Sequence, residues 1–204
     1  APDALLVLDM GSPAAPIVAG LPTLVVDHHR PRGFPPNAVA VSAFGHEPVA
    51  PASLLAFHLF SRLTDLSDLD WMALMGTVAD LGPSAPFEGM GEELRRYGRR
   101  QVGEAVALLN APRRAASHDV RAALDVLLRA TSPADIALRR VEGADLLDRY
   151  RQEVAAEVTR CARTRPLFSQ RFALLAFSSG AKVHPLVARR WTSRLPAYVV
   201  VAAN

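Results

Sequence analysis

The sequence predicts an α/β protein: a parallel-sheet domain with a helical half, a connector helix, and then the start of a second, smaller α/β domain. Three observations carry this expectation. Residues 4–8 and 23–26 are short, continuously apolar and rich in Leu and Val, which is how strands buried on both faces of a parallel sheet read. From about residue 51 to about residue 165 the periodicity is helical, and after Arg165-Pro166 it returns to strand. The expected divisions are 1–142, 143–165 for the connector, and 166–204.

Taken in order, the first two strands each end in an aspartate, Asp9 and Asp27, and residues 37–42 form a third strand entered through Pro35-Pro36. A helix begins near Pro51-Ala52-Ser53, and residues 54–63 and 70–80 give two helices. Residues 92–109 read as one longer amphipathic helix, and Ser117 is placed to cap the next, with Asp119 in its first turn. Ser132-Pro133-Ala134-Asp135 is a further helix start, with proline at the first position and a carboxylate near the free amides. Leu147, Tyr150, Val154, Val158 and Cys161 recur at helical spacing, so one side of that connector packs and its arginine-rich side faces water. Residues 172–177 and 198–202 are strands, separated by the Ser178-Ser179-Gly180 turn and a short helix from Pro185.

Composition narrows the function classes. A chain of 204 residues, half of them apolar, forms a globular core. No apolar run approaches a bilayer span, and the start lacks the pattern of a signal peptide, so the expected location is the cytoplasm, with no membrane partner. A buried strand is entered by the fourth residue and the last strand has no following element, which predicts an excerpt of a longer protein. Cys161 is the only cysteine, excluding an internal disulfide, and it falls on an apolar stripe as a core thiol. The net charge of +3 comes almost wholly from arginine, Lys182 being the only lysine; pairs such as Arg99-Arg100 and Arg189-Arg190 read as solvated helix faces.

The chemistry centres on Asp27-His28-His29, directly after Leu24-Val25-Val26. Imidazole nitrogen and carboxylate are preferred ligands of divalent metals, and open α/β sheets place their sites at strand ends. Asp80 closes an otherwise apolar helical segment, so Asp9, Asp27 and Asp80 are expected as three carboxylates near the core that a divalent metal would compensate. His46 and His58 read as loop and helix residues, and His118 as a helix-start residue.

Leu8-Asp9-Met10-Gly11, Asp27-His28-His29 and Gly76-Thr77-Val78-Ala79-Asp80 together resemble, in order and spacing, the second, third and fourth motifs of the DHH phosphoesterase superfamily. The helical stretch 99–128 and Val183-His184-Pro185-Leu186-Val187-Ala188-Arg189-Arg190, which resembles the entry to a DHHA1 domain, point to the RecJ-like branch. The resemblance implies a DHH domain followed by the start of a DHHA1-like substrate-binding domain. It implies a two-metal site using Mn²⁺ or Mg²⁺, with Asp9 bridging the metals and His28 and Asp80 as further ligands. Asp27 would orient an imidazole, His29 would contact the scissile phosphate, and His184 would be either a substrate-facing residue or a helix-start histidine beside Pro185. The implied activity is phosphodiester hydrolysis, as an exonuclease or oligonucleotide phosphodiesterase on single-stranded or short nucleic acid. The alternatives are a phosphohydrolase of small substrates such as a cyclic dinucleotide, nucleoside bisphosphate, pyrophosphate or polyphosphate, or a non-catalytic scaffold or binding module. Two family segments, the first motif and the DHHA1 Gly-Gly-Gly-His, have no counterpart in this chain.

Overall fold

The computed structural model describes residues 2–204. The chain is α/β, and it divides into two compact units: one runs to Val106 and includes Thr131–Ala134, the other comprises Ala107–Ala130 and Asp135–Asn204.

In the first unit β1 (Leu5–Leu8), β2 (Thr23–Asp27) and β3 (Ala38–Ser42) form a parallel sheet in the order β1-β2-β3. The register aligns Leu8 with Val26 and Asp27 with Ser42, so the strands end side by side. Only the central strand is buried on both faces; Leu6, Leu8 and Val39 on the edge strands are exposed. The apolar runs therefore predict strands correctly but overstate the burial of β1 and β3. A continuous apolar run marks a parallel strand whether its outer face is covered or not.

Helices α1 (Ala52–Phe60) and α2 (Asp70–Leu81) pack on each other, and α1 also meets β2. Trp71, Leu74 and Met75 of α2 are buried with Val25 and Val26 of β2 in the core of this unit. The α1–α2 approach depends on a missing side chain. A Cβ at Gly76 would lie 2.5 Å from the Ser53 Cβ of α1. Gly76 thus sets the separation of the two helices and, through α2, the position of Asp80 one turn later.

The expected single helix over residues 92–109 is two: α3 (Met90–Tyr97) and α4 (Arg99–Asn110), broken at Gly98, whose φ of 80° leaves the helical region. The amphipathic period survives the break, which is why periodicity alone does not reveal it. The α3 end is tied back to α2 through Asp70, which accepts hydrogen bonds from the Tyr97 hydroxyl and, at 2.8 Å, from Arg96.

The second unit contains α5 (Val120–Arg129), α7 (Ala144–Cys161), β4 (Leu167–Ser169), β5 (Phe172–Ala176), α8 (His184–Thr192) and β6 (Val199–Ala203), with the short α6 (Pro133–Ala137) between α5 and α7. Its sheet runs β4-β5-β6, antiparallel then parallel. The first of these strands is a three-residue hairpin partner of β5 that has no sequence signal of its own. Val154 and Cys161 of α7, Leu175 of β5 and Val183 and Val187 around α8 form its core, so Cys161 is a buried thiol. The cap of α5 is Asp119, which accepts the Ala122 N–H at 3.2 Å, and not Ser117 as expected. His118 between them has a φ of 52°, and that reversal turns Ser117 away from the helix axis. No helix among the described residues is long and apolar enough to cross a membrane.

Two outcomes are expected. Gly76→Ala destabilises the protein by about 1–3 kcal/mol through overpacking against Ser53, and Ser53→Gly in the same chain restores most of the loss, as denaturant unfolding of the single and double variants will show. Burial and the neighbouring Asp70 carboxylate push the Tyr97 phenol up to about 12 from its ordinary 10. A raised folded pKa favours the protonated form, so this contribution is complete below pH 10 and is lost as pH rises through about 12. Phenolate absorbance, read as wild type minus Tyr97→Phe, reports that titration, and Asp70→Asn shifts it downward.

Candidate metal centre

The site lies where the parallel strands end. Asp27, the last residue of β2, is 2% exposed, and its two oxygens are held within the protein. One accepts the Gly11 N–H at 2.6 Å. The other accepts the His29 N–H at 2.6 Å and faces His29 Nδ1 at 2.9 Å. Burial pushes the Asp27 carboxyl up, but the N–H groups of His29 and Gly11 and the His29 ring outweigh it, leaving the group below its usual value. Asp27 is an internal clamp between the end of β2 and the loop after β1. As an acceptor at His29 Nδ1 it selects the tautomer protonated there and leaves Nε2 for an external partner.

His28 stands between two carboxylates. Its Nε2 is 3.2 Å from Asp9 and its Nδ1 3.6 Å from Asp80, with the side chain 13% exposed. The His28 and His29 rings meet edge to face, with centroids 4.3 Å apart. Asp9 follows β1 with a φ of 58°, a left-handed conformation that aspartate tolerates better than most residues and that turns its carboxylate toward both histidines. His29 Nδ1 lies 3.9 Å from the same Asp9 oxygen.

Burial corrects one expectation. Of the three carboxylates placed near the core, only Asp27 is desolvated; the side chains of Asp9 and Asp80 are 60% and 44% exposed. A cation is not required to rescue them from burial. Asp80 instead occupies the last turn of α2, where the helix carries no basic residue. A carboxylate at that negative end of the dipole is disfavoured and gains from any cation beside it.

One ligand atom from each of Asp9, His28 and His29 falls in a group whose members all lie within 4.8 Å of one another. Donors about 2.1 Å from a common ion are separated by roughly 3–4 Å, close to the spacing of this group, so these three side chains could hold one divalent cation. A hard carboxylate with imidazole nitrogens suits manganese, and a carboxylate-rich neighbourhood suits magnesium. His184 sits in the second unit, exposed in the first turn of α8.

No family model and no curated protein matches this sequence. Solved structures do. The crystal structure of exonuclease RecJ bound to manganese aligns over 98% of this chain and 61% of its own, with a TM-score of 0.58 and 20% identity. RecJ from Thermus thermophilus in complex with Mn²⁺ aligns over 98% of this chain and 36% of its own, with a TM-score of 0.64 and 19% identity. The fold is that of RecJ. The likeness extends over both units, and this chain spans about three fifths and one third of the two solved proteins.

Within this RecJ-type fold, the loops that hold the site include residues with no signal in the sequence. Ser12 is buried and donates from its hydroxyl to the Gly33 carbonyl at 2.5 Å, while the Arg32 N–H donates to the Ser12 carbonyl at 3.0 Å. These bonds tie the loop after β1 to the loop after the histidines. A Gly-Ser pair behind an aspartate reads as a generic turn, so only its partners in the fold reveal its part in the site.

Asp27→Asn removes the charge that two backbone N–H groups and an imidazole converge on. The expected loss is on the order of 2 kcal/mol in stability, measured by denaturant unfolding in a metal chelator so that ion binding does not contribute.

Proposed function

We propose that the protein is a divalent-metal-dependent phosphoesterase of the RecJ-like DHH type, hydrolysing phosphodiesters in single-stranded or short nucleic acid. The observation that carries this reading is the gathering of Asp9, His28 and His29 at the end of the parallel strands, with Asp80 against the other side of His28. The RecJ fold supports the same reading, since both matched RecJ structures hold manganese.

Asp9 and His28 are the residues that would hold the ion they flank, with Asp80 completing the donor set; a two-ion arrangement would use Asp9 as the shared ligand. Manganese or magnesium held by these residues would supply Lewis acidity, toward a water and toward the phosphate oxygens. The chain's own groups do the rest. His29, fixed at Nδ1 by Asp27, presents Nε2 to the substrate as the contact to the scissile phosphate. The buried Asp27 carboxylate orients that imidazole and does not meet the substrate. Water adds to phosphorus and gives up a proton to solvent, the P–O ester bond breaks, and the leaving oxygen takes up a proton from solvent, so no covalent enzyme intermediate is needed. Residues 166–204, with His184 exposed on α8, serve in this reading as the start of a DHHA1-like substrate-binding domain.

The test is Mn²⁺-dependent release of mononucleotides from a single-stranded oligonucleotide, together with Mn²⁺ affinity measured by electron paramagnetic resonance. His28→Ala and Asp80→Ala are expected to lower the rate by at least about a hundredfold and His28→Ala to weaken Mn²⁺ binding. Full activity in both variants overturns the assignment.

A further inference from the structure

A second cavity in the first unit, of about 390 Å³, is bounded by α1, α2 and the segment that enters α3. We propose that it binds a small organic cation, an ammonium group carried on an aromatic or alkyl body. None of the metal-centre residues lines it, so a ligand there is independent of the phosphoesterase reading.

The floor follows from helical spacing. Asp70, Ala73, Leu74 and Thr77 stand at i, i+3, i+4 and i+7 of α2 and share one face, and Leu54, Phe57 and His58 repeat the spacing on α1. This floor makes no polar demand on a ligand, because the Thr77 hydroxyl donates to the Ala73 carbonyl at 2.8 Å. Phe57 and Phe87 supply aromatic surface. The volume falls in the range of small-molecule sites, roughly 300–1,000 Å³.

The charge of the lining is one-sided. Asp70, Glu88 and Glu93 border the cavity, no arginine or lysine among the described residues does, and His58 is the one lining residue that can become cationic. Asp70 is already answered by Arg96 and Tyr97, which lie outside the lining. Neither Glu88 nor Glu93 is ion-paired among the described residues.

Glu93 is half-buried where its neighbour Glu92 is exposed. The α3 dipole favours carboxylates in that first turn, which accounts for both glutamates but not for one of them lining a cavity. The Glu93 N–H donates to the Gly89 carbonyl at 3.0 Å, and its side chain reaches back so far that a Cβ at Gly89 would stand 3.9 Å from Oε1. Burial, and after it the Asp70 carboxylate, push the Glu93 carboxyl up, against the pull of Arg96 and His58. An ammonium ion seated beside it offsets both effects, and phenyl faces attract the same cation. A neutral molecule of that shape gains apolar contact alone, and an anion is repelled.

The experiment titrates phenethylammonium, phenethyl alcohol and hydrocinnamate into the metal-free protein, followed by heteronuclear NMR at about pH 8, where an ordinary imidazole is neutral and an alkylammonium group charged. The amides of Ala73, Gly89 and Glu93 are expected to shift, with the ammonium ion held about tenfold more tightly than the alcohol and hydrocinnamate the weakest. Glu88→Gln/Glu93→Gln should remove the preference while keeping affinity for the alcohol, and Glu88→Gln alone, at an exposed position, should lower it part-way. Asp68→Asn/Glu92→Gln, which neutralises two exposed carboxylates of the same unit outside the lining, should preserve it. No binding, equal affinity for ammonium ion and alcohol, or shifts confined to Gly11 and His29 at the metal centre overturns the proposal. So does a preference that survives in the Glu88 and Glu93 variants or falls equally in the control, since diffuse negative charge then accounts for it.

Discussion

The architecture of the site depends on one buried charge. Asp27 ends the only strand covered on both faces, and its carboxylate is held by N–H groups from two loops rather than by a cation. In the absence of those donors, burial would push it toward the neutral acid; with them, ionisation is favoured and the loops are drawn to the strand end. The same contacts hold Gly11, two residues beyond Asp9, and His29, next to His28, at the end of β2. The fixed ends of the loops that carry Asp9 and His29 are therefore consequences of one satisfied carboxylate.

The elements legible in the sequence are those whose signal is local. Apolar runs mark the three parallel strands, Ser132-Pro133 marks α6, and the period through Leu147, Val154 and Cys161 marks α7, because burial pattern and covalent geometry act within a few residues. Elements that depend on a distant partner escape. The strand β4 exists because β5 folds back on it, the break at Gly98 is invisible to a hydrophobic period that continues across it, and the choice of Asp119 over Ser117 as cap follows from backbone reversal at His118. The exposure of β1 and β3 is of this second kind, since it depends on what does or does not cover a face.

The site shows the same division. Asp27-His28-His29 and Asp9 are visible as polar residues at the ends of apolar runs, and the fold brings them, with Asp80, around one imidazole. What residue type cannot convey is the difference among three aspartates in similar contexts. Asp27 is enclosed and satisfied by backbone donors, while Asp9 and Asp80 keep much of their surface in solvent and have lone pairs to offer. That difference separates an enclosed carboxylate from carboxylates whose oxygens stay available to a ligand. Burial, not chemical identity, draws the line.

Electrostatics ties the centre to its surroundings. Three carboxylates lie around two imidazoles, and the dipole of α2 adds negative potential at Asp80, so the centre by itself attracts cations and repels a phosphate. A substrate carrying several negative charges approaches such a site only if the field is reversed nearby. A divalent ion would reverse it at the centre, and Arg30 and Arg32 add positive charge along the adjoining cleft. The placement of Arg30 directly after the histidine pair puts imidazole and guanidinium groups on one short segment, which the contacts of Ser12 and Gly33 tie to the loop after β1.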